Sequence, residues 1–150
     1  MKKSLMAAGL AAMLASGTAL AQVKPEILVK QRQAAMTLIG KYWGPMAGMM
    51  QGKIAYDAAV IQRNAGFLDN LSRMPWDGFH ESTKDVKPSA ALPSIWSDQA
   101  KFREAQSRLE NEASRLVQVS RSGDEGAVKA QLGAVGKACG GCHNDFRAKQ

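Results

Sequence analysis

The sequence predicts an all-α protein, an antiparallel four-helix bundle. Three observations carry this. Apolar residues recur at the helical period in four separate segments, and no segment of useful length alternates with the period of a strand. Short breaks rich in Gly, Pro, Ser and Asp divide most of the segments, with one long connection among them, the pattern of a bundle with a single crossover.

The first stretch is not expected to join the bundle. Lys2-Lys3 is a basic start, Leu5 to Leu14 is an apolar run too short to span a bilayer, and Ala19-Leu20-Ala21 is a small-x-small cleavage site. Residues 1–21 therefore read as a cleaved secretory signal peptide and 22–150 as one domain, exported to the periplasm with no membrane span in the mature chain. The formal net charge of +7 falls to +5 once Lys2 and Lys3 are removed. The charges are spread along the chain without the clustering a nucleic-acid surface needs, so no nucleic-acid partner is expected.

The elements follow in order. The first helix is expected from Pro25 to about Met50: Pro suits the first helical position and Glu26 the first turn, while Gly44-Pro45 predicts a kink or a loosened turn. The second runs from Tyr56-Asp57 to about Met74 with Ala59, Val60, Phe67 and Leu68, and Pro75 stops it. Residues 76–92 form the long connection, a length uncommon in a small bundle unless it has a function. The third helix is expected from about Pro93 to Ser120, with Trp96, Phe102, Leu109, Ala113 and Leu116 on one stripe. After Ser122-Gly123-Asp124, with Asp124 as N-cap, the last helix runs to about Arg147. Its stripe is the clearest in the chain: Val128, Leu132, Val135, Cys139, Cys142 and Phe146, in steps of 4, 3, 4, 3 and 4.

Cys139-Gly140-Gly141-Cys142-His143 holds both cysteines of the chain and one of its two histidines. C-x-x-C-H is the attachment run of a c-type haem. Cysteines three residues apart on a helix each reach one vinyl group, and the adjoining imidazole reaches the iron. Two other chemistries use such thiols. Zinc would take Cys139, Cys142, His143 and the distant His80, but structural zinc sites pair two ligand clusters and His80 stands alone. A redox dithiol belongs in a βαβ setting, absent here. The run favours haem c, one per chain and covalent.

A C-x-x-C-H on the last helix of a small exported bundle resembles the class II c-type cytochromes, specifically cytochrome c′. The resemblance covers Lys24-Pro25 to Arg147 and rests also on Arg32-Gln33, Gln51-Gly52-Lys53 before Tyr56-Asp57, Met74-Pro75-Trp76 with Phe79, Ile95-Trp96-Ser97-Asp98, and Gly136 through Arg147. It implies that Cys139 and Cys142 carry the thioethers and that His143 is the axial ligand to iron. Arg147 matches a basic residue beside the proximal face; a cation at a helix C-terminus also has a reason of its own. Arg32, Gln33 and Asp85 match family positions that contact the haem, with the Arg32 guanidinium suited to a propionate.

Met36 falls where the family places the residue over the open iron face. Arg32, Met36, Ile39 and Trp43 lie at i, i+4, i+7 and i+11 of the first helix. In cytochrome c′ proper this residue covers a five-coordinate iron without bonding it; in low-spin class II members a methionine here is the sixth ligand and the protein is purely an electron carrier. The expectation is the first: a periplasmic haem protein that binds NO and CO and cycles between Fe(III) and Fe(II), with an unidentified redox partner protein. The resemblance also implies an antiparallel homodimer through the first two helices, with Ala47, Met50 and Val60 as contributors.

The remaining candidates read as structure. His80 reads as a solvated loop residue, Trp43, Trp76, Trp96 and Phe102 as core or haem packing, and Met46, Met49 and Met50 as core rather than a soft-metal cluster. No Ser-His-Asp set, carboxylate dyad or phosphate loop is visible, so the protein is not read as an enzyme.

Overall fold

A computed structural model describes residues 23–149; the signal peptide expected over 1–21 lies outside them. Among the described residues there are five α-helices: α1 (Pro25–Met50), α2 (Ala58–Ser72), the single turn α3 (Ser94–Ser97), α4 (Gln99–Val119) and α5 (Glu125–Phe146). The four long ones form the expected bundle, in which α4 packs on α5, α1 on α2 and α2 on α4. The links α1–α2 and α4–α5 are short, which makes those neighbours antiparallel.

Capping residues set most of the boundaries. Asp57 accepts the Val60 backbone N–H at 3.0 Å to open α2, and Asp124 accepts that of Ala127 at 3.0 Å to open α5. Gly123, at φ +76°, supplies the left-handed turn between α4 and α5. α1 runs through Pro45 without a break in its helical span.

The third predicted helix is two. Asp98 leaves helical geometry at φ −124° and ψ 63°, and its side chain accepts the Lys101 N–H at 3.2 Å, so it ends α3 and caps α4. A carboxylate at that position offers the next three residues a better start than continuation of the old helix.

The core joins Met46 and Met49 of α1, Ile61, Ala65 and Leu68 of α2, Ala113 and Leu116 of α4, and Val128, Leu132 and Val135 of α5. Each fully buried leucine contributes about 1.5–3 kcal/mol relative to exposure. Met50 and Val60 pack partly against this core, whereas Phe67 is turned outward, its ring 4.6 Å from Tyr42.

At the far end of the bundle the long connection folds into two 3-10 turns, Trp76–Phe79 and Glu81–Thr83. It closes on the C-terminus through Leu92 N–H to Phe146 C=O at 3.0 Å and Ala148 N–H to Ala90 C=O at 2.8 Å. A second apolar cluster gathers there: Ile95, Phe102 and Phe146, with Trp76, Phe79 and Trp96 against them.

Candidate functional site

Of the neighbouring long helices, α1 and α5 approach each other least, and the gap beside them holds a cavity of about 930 Å³. That is near the top of the roughly 300–1,000 Å³ range of ligand pockets. α1 contributes Arg32, Gln33, Met36, Ile39 and Trp43, so the stripe read from the sequence is one wall. The opposite wall is Cys139, Cys142, His143 and Phe146 of α5. Trp76, Phe79, Ser89, Ala91, Phe102 and Leu109 close the end and floor, and Arg147 stands at the rim.

The C-x-x-C-H run sits on α5 so that all three side chains face this space. Burial, then the neighbouring Cys139 and Asp145, push the Cys142 thiol up to about 11, and burial also raises Cys139. A redox dithiol needs the opposite shift. Partial desolvation, then the Arg147 cation, lowers the pKa of His143 and favours the neutral imidazole, the form that ligates a metal. Among the described residues no group of three His, Cys, Asp or Glu could hold a metal ion, so the zinc set with His80 is not assembled. His80 is exposed and its Nδ1 accepts the Ser82 N–H at 3.2 Å.

Arg32 is only 5 % exposed. One guanidinium nitrogen donates to Gly78 C=O, the other to Ser89 Oγ at 2.9 Å, and its carbon lies 4.4 Å from the Phe79 ring centre. Desolvation lowers its pKa. It therefore ties α1 to both ends of the long connection, beside whatever it presents to the cavity. Gln33 adds a bond from Nε2 to Pro88 C=O at 3.1 Å. A Cβ at Gly78 would lie 2.8 Å from Leu28 C=O and nearer still to the Arg32 side chain, so only glycine lets the loop come this close.

Asp85 needs a correction. It is exposed and does not line the cavity, because the connection is fastened to α1 at Pro88 and Ser89, leaving Asp85 out on the preceding turn. Ser89, Ala91 and Phe79 form the loop wall, and the sequence pointed to none of the first two. Their signal is long-range: Ser89 meets Arg32 across 57 positions.

A long slot with two thiols and a neutral imidazole on one wall, aromatic and aliphatic side chains on the others, and two arginines at its edges fits a covalently held, flat apolar macrocycle with acidic edge groups. Trp76 Nε1, beside it, is the only buried side-chain N or O without a hydrogen-bond partner among the described residues. A bundle with this site is a c-type cytochrome of the four-helix class.

Comparisons specify it. The family profile described as Cytochrome C' matches residues 28–147. The chain is 40% identical over 131 residues to a cytochrome c' of Halomonas halodenitrificans, covering 84% of this chain and 99% of that one. It resembles the structure of cytochrome c prime from Shewanella frigidimarina with a TM-score of 0.81 at 32% identity, covering 85% and 98%. It also resembles structures of Alcaligenes xylosoxidans cytochrome c prime variants, one in complex with nitric oxide and one with carbon monoxide bound (TM-score 0.76, 37% identity, covering 85% and 98%). The chain belongs to the cytochrome c′ family, and its cofactor is a single covalent c-type haem.

Proposed function

We propose that this is a periplasmic cytochrome c′ that binds NO and CO at a five-coordinate haem and passes single electrons between Fe(III) and Fe(II). Cys139 and Cys142 hold the haem, His143 supplies the one protein ligand, and Arg147 flanks the proximal side. The observation that carries the reading is the wall opposite His143. At its centre are Met36 and Ile39, whose side chains offer no hydrogen-bond donor of the kind that stabilises polarised bound O2. Neutral diatomics need less such help. The gas complexes of the Alcaligenes proteins, built on the same fold, agree with an iron face open to ligands. Nothing in the comparisons favours the alternative in which Met36 fills the sixth position and the protein is only an electron carrier.

Cytochromes c′ carry gas and electrons rather than catalyse a reaction. A redox partner protein of unspecified identity is part of the proposal. So is export by the leader at 1–21, and no helix among the described residues is long and apolar enough to cross a membrane. A homodimer through α1 and α2 is proposed on the outward-facing Ile27, Leu38 and Phe67, each more than 40 % exposed. The test is CO titration of the ferrous holoprotein. A saturable optical shift with one CO per chain supports the reading; a spectrum indifferent to CO refutes it.

A further inference from the structure

The haem cavity has a smaller neighbour. Behind Trp76, Phe79 and Phe102 lies a second cavity of about 200 Å³, open to the surface between the long connection and the start of α4. These three residues and Ile95 line both spaces, so the partition is one ring thick. Phe79 and Phe102 are 5.0 Å apart between ring centres, and Trp76 meets Phe102 edge-on at 6.0 Å. Phe102 continues at 5.2 Å to Phe146, one turn beyond Cys142.

Size and chemistry select an occupant. An apolar cavity of ~150 Å³ takes benzene, so this one has room for a single substituted ring. Its walls are aromatic faces and edges, which favour an aromatic guest. Its polar groups are of both kinds: the Glu81 carboxylate accepts, Arg103 donates, and the Gln99 and Gln106 amides do both. His80 Nδ1 is engaged with Ser82, whose backbone N–H it accepts at 3.2 Å, which leaves Nε2 for a guest. Arg103 uses one donor on Gln99 Oε1 at 3.2 Å and has others to give. A plain hydrocarbon would leave these groups unanswered; a ring bearing a hydroxyl, which both donates and accepts, would not.

We propose that this outer cavity binds a single-ring phenol or hydroquinone, and that a hydroquinone seated there reduces the haem through the ring partition. The second half rests on the haem reading above. Each hydroquinone loses two electrons, one to each of two ferric proteins in turn, and two protons to water at the open mouth. It leaves as the quinone, and two Fe(III) become Fe(II).

Two measurements on the holoprotein test this. The first titrates phenol, which is redox-inert here, into the ferrous CO-treated protein and follows the indole N–H signals by NMR. The expected result is a saturable shift of Trp76 and Trp96, lost in Gln106→Trp and Gln99→Trp, which fill or cover the outer cavity without touching the haem cavity. The second follows reduction of the ferric protein by 2,6-dimethylhydroquinone. Its rate should saturate, fall in competition with phenol, and drop several-fold in both variants, while reduction by dithionite stays unchanged. A rate strictly linear in hydroquinone and unmoved by phenol or either variant overturns the proposal, as does a phenol titration that shifts neither tryptophan. A parent protein that ignores CO yet shows both phenol effects sinks the gas-binding reading and leaves the outer cavity standing.

Discussion

Replacing Arg32 by Met tests how the long connection is held over the haem cavity. The substitution keeps an unbranched apolar stem and removes the two charged hydrogen bonds, to Gly78 C=O and Ser89 Oγ. Bonds to charged groups are each worth about 1.5–3 kcal/mol, and the guanidinium over Phe79 adds roughly 0.5–2 kcal/mol. Three effects reduce the loss. Removing the buried cation relieves its desolvation. Ser89 Oγ keeps the Ala91 N–H at 3.1 Å, and the single proton of the Thr83 hydroxyl, shared between His80 C=O at 2.7 Å and Gly78 C=O at 3.1 Å, can turn to Gly78, so neither is orphaned. A thioether against Phe79 restores part of the ring contact. The net destabilisation should be about 2 kcal/mol, a fall in Tm of roughly 8 °C for a domain of this size, read by circular dichroism melting of the ferric holoprotein. Arg32→Lys should recover less than half of it, because an ammonium lacks the planar fork that spans both acceptors. An Arg32→Met protein melting within about 2 °C of the parent, less than 1 kcal/mol on the same scale, would refute the clamp.

Other outcomes follow from the same geometry. Gly78→Ala should destabilise the holoprotein by about 1–3 kcal/mol, because the added methyl meets the Leu28 carbonyl and the Arg32 stem with no open side to move toward; urea unfolding reads this. Either Cys139→Ala or Cys142→Ala should leave haem attached through the remaining thioether, and the double variant should lose all haem stain on a denaturing gel. Phe67→Glu should shift a homodimer toward monomer by analytical ultracentrifugation with its helicity intact, since the ring is 43 % exposed and fills no core position.

The last helix was readable from end to end because its information is local. Val128 to Phe146 repeat at helical spacing, Asp124 caps them, and the C-x-x-C-H run names its own chemistry at short range. Met36, Ile39 and Trp43 were readable for the same reason, as one stripe of α1 that turned out to be one cavity wall. What the sequence hid depends on distant partners or on competing local choices. Arg32 reads as a partner for a haem propionate, and its role as a clamp on the loop emerges only where the fold brings Gly78 and Ser89 to it across 46 and 57 positions. Ser89 and Ala91 carry no motif, and the resemblance points in this loop to Asp85 instead, which stands outside the cavity lining. Asp98 lies amid a helical pattern, and its preference for capping Lys101 over continuing the helix shows only in the backbone.

The central claim concerns the face of the iron opposite His143, and the spin state of the resting ferric holoprotein addresses it directly. Electron paramagnetic resonance at neutral pH should give a high-spin signal in the parent and an unchanged high-spin signal in Met36→Leu, because the proposed five-coordinate iron has Met36 over it as a cover and not as a ligand. A low-spin signal in the parent that turns high-spin in Met36→Leu would contradict the account and make the protein a His/Met electron carrier.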